Sequence, residues 1–188
     1  MKTLSLPLAA SFALVSLILG IIIGYSATPE YRQTMFTSSR MDLGAADRWL
    51  DQRYIDAMIA HHRGVMLMAE QAQVNGGRTE IKNLAGDILA GEPKLIAELY
   101  AWKKDWYNNE RTVRDPIVAK LGAADTTFDL RFLNALIAHH EAGVAMAKEI
   151  RMKSSRSEIL NNADAVEQFL SGGITMLKEW RSNWYNVR

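Results

Sequence analysis

IAHHRGVMLMA, residues 59–69, recurs as IAHHEAGVAMA, residues 137–147. The two copies hold His61, His62, His139 and His140, and the whole chain of 188 residues contains 4 histidines. Every imidazole in the protein therefore sits in one repeated motif. Sliding the chain against itself by 78 positions extends the match, without a gap, to residues 43–108 on 121–186. There 25 of 66 positions are identical, where unrelated segments would share only a handful, so the unit is an internal duplication.

Each unit reads as two helices joined by a short turn. In the first copy Ile55, Met58, Val65, Ala69 and Ala72 follow the three-and-four spacing of one helical face, and Asn75-Gly76-Gly77 stops it. The partner helix starts near Thr79, or Ser157 in the second copy, both suited to capping. It carries Ile81, Leu84, Ile88, Leu95, Leu99 and Trp102. No alternating apolar run bounded by turn residues suggests a strand. Two hairpins, each with one apolar face, bury those faces best against each other. The expected fold is all-α, an antiparallel four-helix bundle over residues 43–188, with the segment around Asp115-Pro116 and Gly122 as its crossover. Gly91-Glu92-Pro93 and Ser171-Gly172-Gly173 lie at nearly the same level of the two second helices and predict a kink there. Trp102 with Trp106, and Trp180 with Trp184, form one ridge on each second helix, suited to packing at a bundle end.

Residues 1–26 hold Lys2 and then a nearly unbroken apolar run from Leu6 to Ile23, roughly 18 residues, at the lower end of a membrane span. A signal peptide and an uncleaved signal anchor, an N-terminal hydrophobic helix, both fit. Either would leave the rest of the chain outside the cytoplasmic membrane, periplasmic or at the cell surface. Residues 27–42 lack periodicity and read as a tether.

Lys and Arg number 22 against 21 Asp and Glu, which offers no basic field for nucleic acid. With no cysteine, there is no disulfide and no thiolate metal site, and any soft ligand must come from the 9 methionines. Neighbouring histidines on a helix diverge by about 100°, so the two of a pair cannot share one face. If Met58 and Val65 face the core, His62 lies on their stripe and His61 turns toward an adjoining groove. Imidazole with thioether suits copper, and thioether favours the cuprous state. Met58 with His62, and His62 with Met66, are four apart and can share an ion, as can Met58 and His61 three apart. Met68, seven beyond His61 and roughly 10 Å along the axis, would need a ligand from another helix. The second copy has Leu136 and Val144 in place of Met58 and Met66, leaving Met146 beside His139 and His140 and making the first pair the stronger candidate. A Glu-x-x-His motif, needed for a di-iron centre, is absent, and Asp56 becomes Asn134. The His-Glu-x-x-His of zinc hydrolases is absent as well. Asp51 and Asp129, near the helix starts, suit capping or the helix dipole, with support of a histidine from behind as the alternative.

The pattern D-x-R-[YF]-[IL]-x-A-[ML]-I-A-H-H followed by Met-Ala, at Asp51–Ala69 and Asp129–Ala147, resembles the bacterial ferritin-like family catalogued as domain of unknown function number 305. The resemblance implies a four-helix bundle of two hairpins, export, and copper binding outside the cytoplasm. It also implies His61, His62, Met58, Met66 and Met68 as metal ligands in the first unit, and His139, His140 and Met146 in the second. The family's second helix commonly carries a Gln and a Glu ahead of its Trp. Here the stretches are EPKLIAELYAW and LSGGITMLKEW, with Leu95 and Gly173 where the Glu is expected. The expected protein is therefore an extracytoplasmic, non-enzymatic copper binder, holding Cu(I) rather than Cu(II). Its expected partners are the metal ion, a copper donor or acceptor protein, the membrane through the N-terminal helix, and a further copy of itself. The alternative is a structural or pH-sensing ectodomain.

Overall fold

The computed structural model describes residues 42–187; the N-terminal apolar segment and nearly all of the tether lie outside the described residues. The described chain forms α1 (Leu50–Asn75), α2 (Thr79–Tyr107), α3 (Phe128–Lys153) and α4 (Ser157–Tyr185). It is an all-helical, four-helix structure. Among the described residues, no helix is long and apolar enough to cross a membrane. α2 packs on α1, α4 packs on α3, and the two hairpins meet along α1 and α3.

The duplication is visible in the wiring ahead of α1 and α3. Arg53 Nε donates to the Leu43 carbonyl at 2.6 Å, while its other nitrogens reach the Ala45 carbonyl and the Asp47 carboxylate. Arg131 does the same for Leu121, Ala123 and Asp125. The loop turns beneath each guanidinium through a glycine in the left-handed region, Gly44 at φ 73° and Gly122 at φ 87°, where a side chain would be strained. Bonding to Arg131 and to Thr127 holds the Asp125 carboxyl down at about 2.

Thr79 and Ser157 are the first helical residues rather than caps; Arg78 and Arg156 occupy the cap positions. The other hairpin supplies what a cap would have supplied. Asp129 on α3 accepts from the amides of Gly77 and Arg78 at 2.8 and 3.0 Å, and Asp51 on α1 binds Ser154 Oγ and Arg156 Nε. Each turn arginine also lies over a tryptophan of the opposite hairpin, Arg78 over Trp184 at 4.5 Å and Arg156 over Trp106 at 4.2 Å. Trp102 stacks on Trp106 and Trp180 on Trp184, forming the two ridges expected. The hairpins are thus clasped at both ends by matching Asp and Arg–Trp contacts, each Arg–Trp pair worth about 0.5–1 kcal/mol.

The core has two parts. Leu50, Tyr54, Met58 and Ile59 of α1 cluster with Met146 and Ile150 of α3 and with Leu99 and Ile159. Val65, Met68 and Ala72 of α1 cluster with Phe128, Phe132 and Leu136 of α3 and with Ile81 and Leu177. The early part of α1 therefore shares its core with the late part of α3, and the reverse. The four histidines fall between these clusters along both helices. α2 is one continuous helix through Pro93, and α4 through Gly172-Gly173.

The glycines at this middle level differ sharply. A Cβ on Gly143 would collide with Leu170 and come within 2.7 Å of His61 Nε2, whereas one on exposed Gly91 meets nothing within 4 Å. Gly143→Ala should therefore destabilise the protein by about 1–3 kcal/mol through overpacking. Gly91→Ala should stabilise it by up to about 1 kcal/mol through helix propensity. Urea denaturation of both variants checks the opposite signs.

Candidate metal centre

The middle level of α1 and α3 is made of imidazole. His61 and His139, equivalent by duplication, stack face to face with ring centroids 3.8 Å apart and an interplanar angle of 22°. His62 and His140 flank them, with centroids 6.1 and 6.3 Å from their chain neighbours. All four are buried, with 1–8 % of their surface exposed. The two pairs that the sequence places 78 residues apart thus form one cluster across the hairpin interface, not two separate sites.

The orientation within each pair also differs from the sequence expectation. His61, expected to turn toward a groove, lies in the α1–α3 seam, and His62 is the one that turns to α2. α1 packs against both helices, so a residue 100° from the α3-facing stripe meets α2 rather than solvent. His61 Nε2 lies 3.1 Å from the His139 carbonyl. A carbonyl only accepts, so Nε2 carries the proton. His62 Nδ1 forms a very short contact with a Glu92 carboxylate oxygen on α2.

Burial keeps His61, His139 and His140 uncharged. His61 is pushed down to about 3, by burial first and by the neighbouring His62 next, and His140 is pushed down to about 4 by burial. His139 is held well below the ordinary imidazole range by burial and by His61 against it. A metal needs neutral imidazole, and these three rings provide it at any pH near neutrality. His140 Nδ1 is buried without a hydrogen-bond partner, a cost unless a ligand satisfies it. Among the described residues no three His, Asp or Glu side chains are gathered around one point, so an ion held here must also draw on thioether or shift the stacked rings.

The methionines divide between the two sides of the histidine layer. Met58 and Met146, fully or nearly fully buried, belong to one core cluster although they come from different copies. Met68 lies in the other cluster, with Leu136 of the second copy. Met68 therefore faces residues of another helix, as its spacing from His61 requires. Met66 is half-buried and belongs to neither cluster. Asp51 and Asp129 are engaged at the bundle ends, with the turns described above, and brace no histidine. Asp56 pairs with Lys103 Nζ at 2.7 Å, and its counterpart Asn134 with Arg181 at 3.0 Å.

Second helices and the crossover close the layer. A Cβ on Gly64 would touch both His139 and Pro116 of the crossover at 3.4 Å, and one on Gly173 would sit 2.8 Å from the His140 ring. Glu92 was not singled out from the sequence as a partner of histidine. Its available signal was position: it lies three residues before Leu95, one turn away on the same face.

The family model described as Domain of unknown function (DUF305) matches residues 51–120 and 110–181. The chain belongs to the DUF305 family. Both family matches contain one histidine pair, so the clustered rings are formed where two family units meet. No curated protein matches the chain. Among solved structures it is similar to CopM in the Cu(I)-bound form, at 31% identity and a TM-score of 0.64, over 73% of this chain and 99% of that one. CopM in the Cu(II)-bound form matches at 29% identity and a TM-score of 0.61, over 72% and 97% of the two chains. CopM in the apo form matches at 31% and 0.63, over 72% and 98%.

The depressed histidine values carry a pH dependence with a definite sign. Below the ordinary imidazole value of 6.5 the unfolded chain binds protons that folded His61, His139 and His140 do not, so stability falls as pH falls. The loss should begin near 6.5, continue through about 4, where His140 titrates in the fold, and run on to about 3, where His61 does. Thermal unfolding of the metal-free protein from pH 7.5 to 4.5 should show a falling Tm, with a shallower fall in a His61→Leu/His139→Leu variant.

Proposed function

We propose that this protein binds copper as cargo outside the cytoplasm, buffering it or passing it to a partner protein, with the histidine layer as the binding site. The single observation that carries this reading is the gathering of all four imidazoles, shielded from solvent, at the interface of the duplicated helices. Similarity to CopM, solved with Cu(I), Cu(II) and Ag, supports copper as the cargo. His61, His62, His139 and His140 supply nitrogen. Met58 and Met146 supply sulfur on one side and Met68 on the other, with Met66 at the edge. Sulfur donors within a water-poor core favour Cu(I). The fold is read as an antiparallel, ferritin-like bundle behind an N-terminal hydrophobic helix that exports or anchors it. The role needs no acid, base or nucleophile, and the reading is of a binder rather than an enzyme.

Burial of the rings also favours a second reading, a pH-responsive ectodomain, whose stability would follow pH but show no metal-dependent thermal shift.

Cu(I) titration of the purified protein under a competing chelator separates the two. His61→Ala combined with His62→Ala should abolish tight binding while circular dichroism stays helical. Equal affinity in that double variant would sink the copper reading.

A further inference from the structure

The duplication makes His62 and His140 equivalent, yet their surroundings are opposite in chemistry. A shift of 78 positions carries Glu92 onto Leu170 and Leu95 onto Gly173. On α2, Glu92 reaches His62 Nδ1 with its side chain only 15% exposed. On α4, Leu170 is buried against the position of Gly143 beside His61, and Gly173 lies against the His140 ring. His140 Nδ1 keeps no hydrogen-bond partner. One half of the histidine layer is thus backed by a carboxylate and the other by hydrocarbon.

A carboxylate behind an imidazole does three things to a metal site. It takes the proton on Nδ1, so a neutral His62 presents its lone pair at Nε2. It fixes the ring plane, which removes an ordering cost on coordination, and it makes the coordinating nitrogen more basic. Its negative charge, screened little at this depth, stabilises a doubly charged ion more than a singly charged one. None of these acts on His140.

We propose, on the copper reading above, that Glu92 is a positioning residue that makes the His62 half of the centre the position that fills first and that holds divalent copper. The two halves of the duplicated site are therefore unequal. Met58, one helical turn before His62 on α1, is placed to lend sulfur to the same half. The His140 half, without a carboxylate, has no comparable preference for the higher charge.

The experiment pairs two readouts on wild type, Glu92→Leu, which copies the Leu170 half, and Glu92→Gln, which keeps an acceptor but removes the charge. Imidazole ¹⁵N NMR of the metal-free proteins reports the His62 tautomer. Cu(II) and Cu(I) titrations against competing chelators, with electron paramagnetic resonance of the first Cu(II) equivalent, report the metal. Wild type should show the Nδ1–H tautomer, which Glu92→Leu loses and Glu92→Gln retains. Glu92→Leu should lose about 10–100-fold in Cu(II) affinity, with a changed spectrum of the first equivalent and a smaller loss for Cu(I). Glu92→Gln should lose the preference for Cu(II) alone, and stands in if Glu92→Leu loses its helix content. An unchanged tautomer and Cu(II) affinity in Glu92→Leu would overturn the proposal, as would equal losses for the two ions. Wild type that binds no copper at all would overturn the copper reading beneath it, a failure told apart because no variant is needed to see it.

Discussion

The stack of His61 on His139 is the contact on which the structure turns. Two equivalent residues meet at a centroid distance of 3.8 Å, so the two hairpins are related about that contact and α1 and α3 must pass close enough for ring-to-ring approach. Small residues make the approach feasible: Gly143 leaves no atom where a Cβ would strike Leu170 and His61. Once the middle is set, the ends follow. Asp129 and Arg78 meet at one end with Trp184, and Asp51 and Arg156 at the other with Trp106. The core then splits into two clusters with polar rings between them, an arrangement that sacrifices hydrophobic contact at the level where packing is normally best.

That sacrifice is intelligible for a ligand site. Desolvated imidazole is costly when charged and cheap when neutral, and burial here holds His61 and His140 down at about 3 and about 4. A layer of buried imidazole nitrogen between thioether-bearing clusters is well matched to a soft metal ion. The same burial makes the fold sensitive to acid, since protonated rings in face-to-face contact would repel without water between them. Metal capture and acid sensitivity thus share one physical origin.

Much of this was legible in the sequence because the duplication could be aligned without a gap. The four helices, the stop at Gly76, the crossover and the tryptophan ridges follow from periodicity and turn residues. The need of Met68 for a second helix follows from its rise along the axis. What periodicity does not supply is how the hairpins face each other. One sequence gives the angle between His61 and His62, but not which neighbour occupies each direction; that is set by α1 packing on α2 and α3 together. For the same reason the two pairs read as separate sites, and Met58 reads with its own copy although its cluster is completed by Met146. Glu92 belongs to a Gly-Glu-Pro stretch that reads as a helix distortion, which hides it as a partner of His62. Asp51 and Asp129 lie at helix starts, and their carboxylates satisfy the turn of the opposite hairpin, a tertiary contact that local capping rules do not anticipate.

The most direct test of the account is the position of the metal in a crystal of the copper-loaded protein, located by anomalous diffraction at the copper edge. Copper should lie in the histidine layer, between the two core clusters, within bonding distance of imidazole nitrogen. Copper at the bundle ends, or bound without imidazole nitrogen from the layer, would contradict that placement.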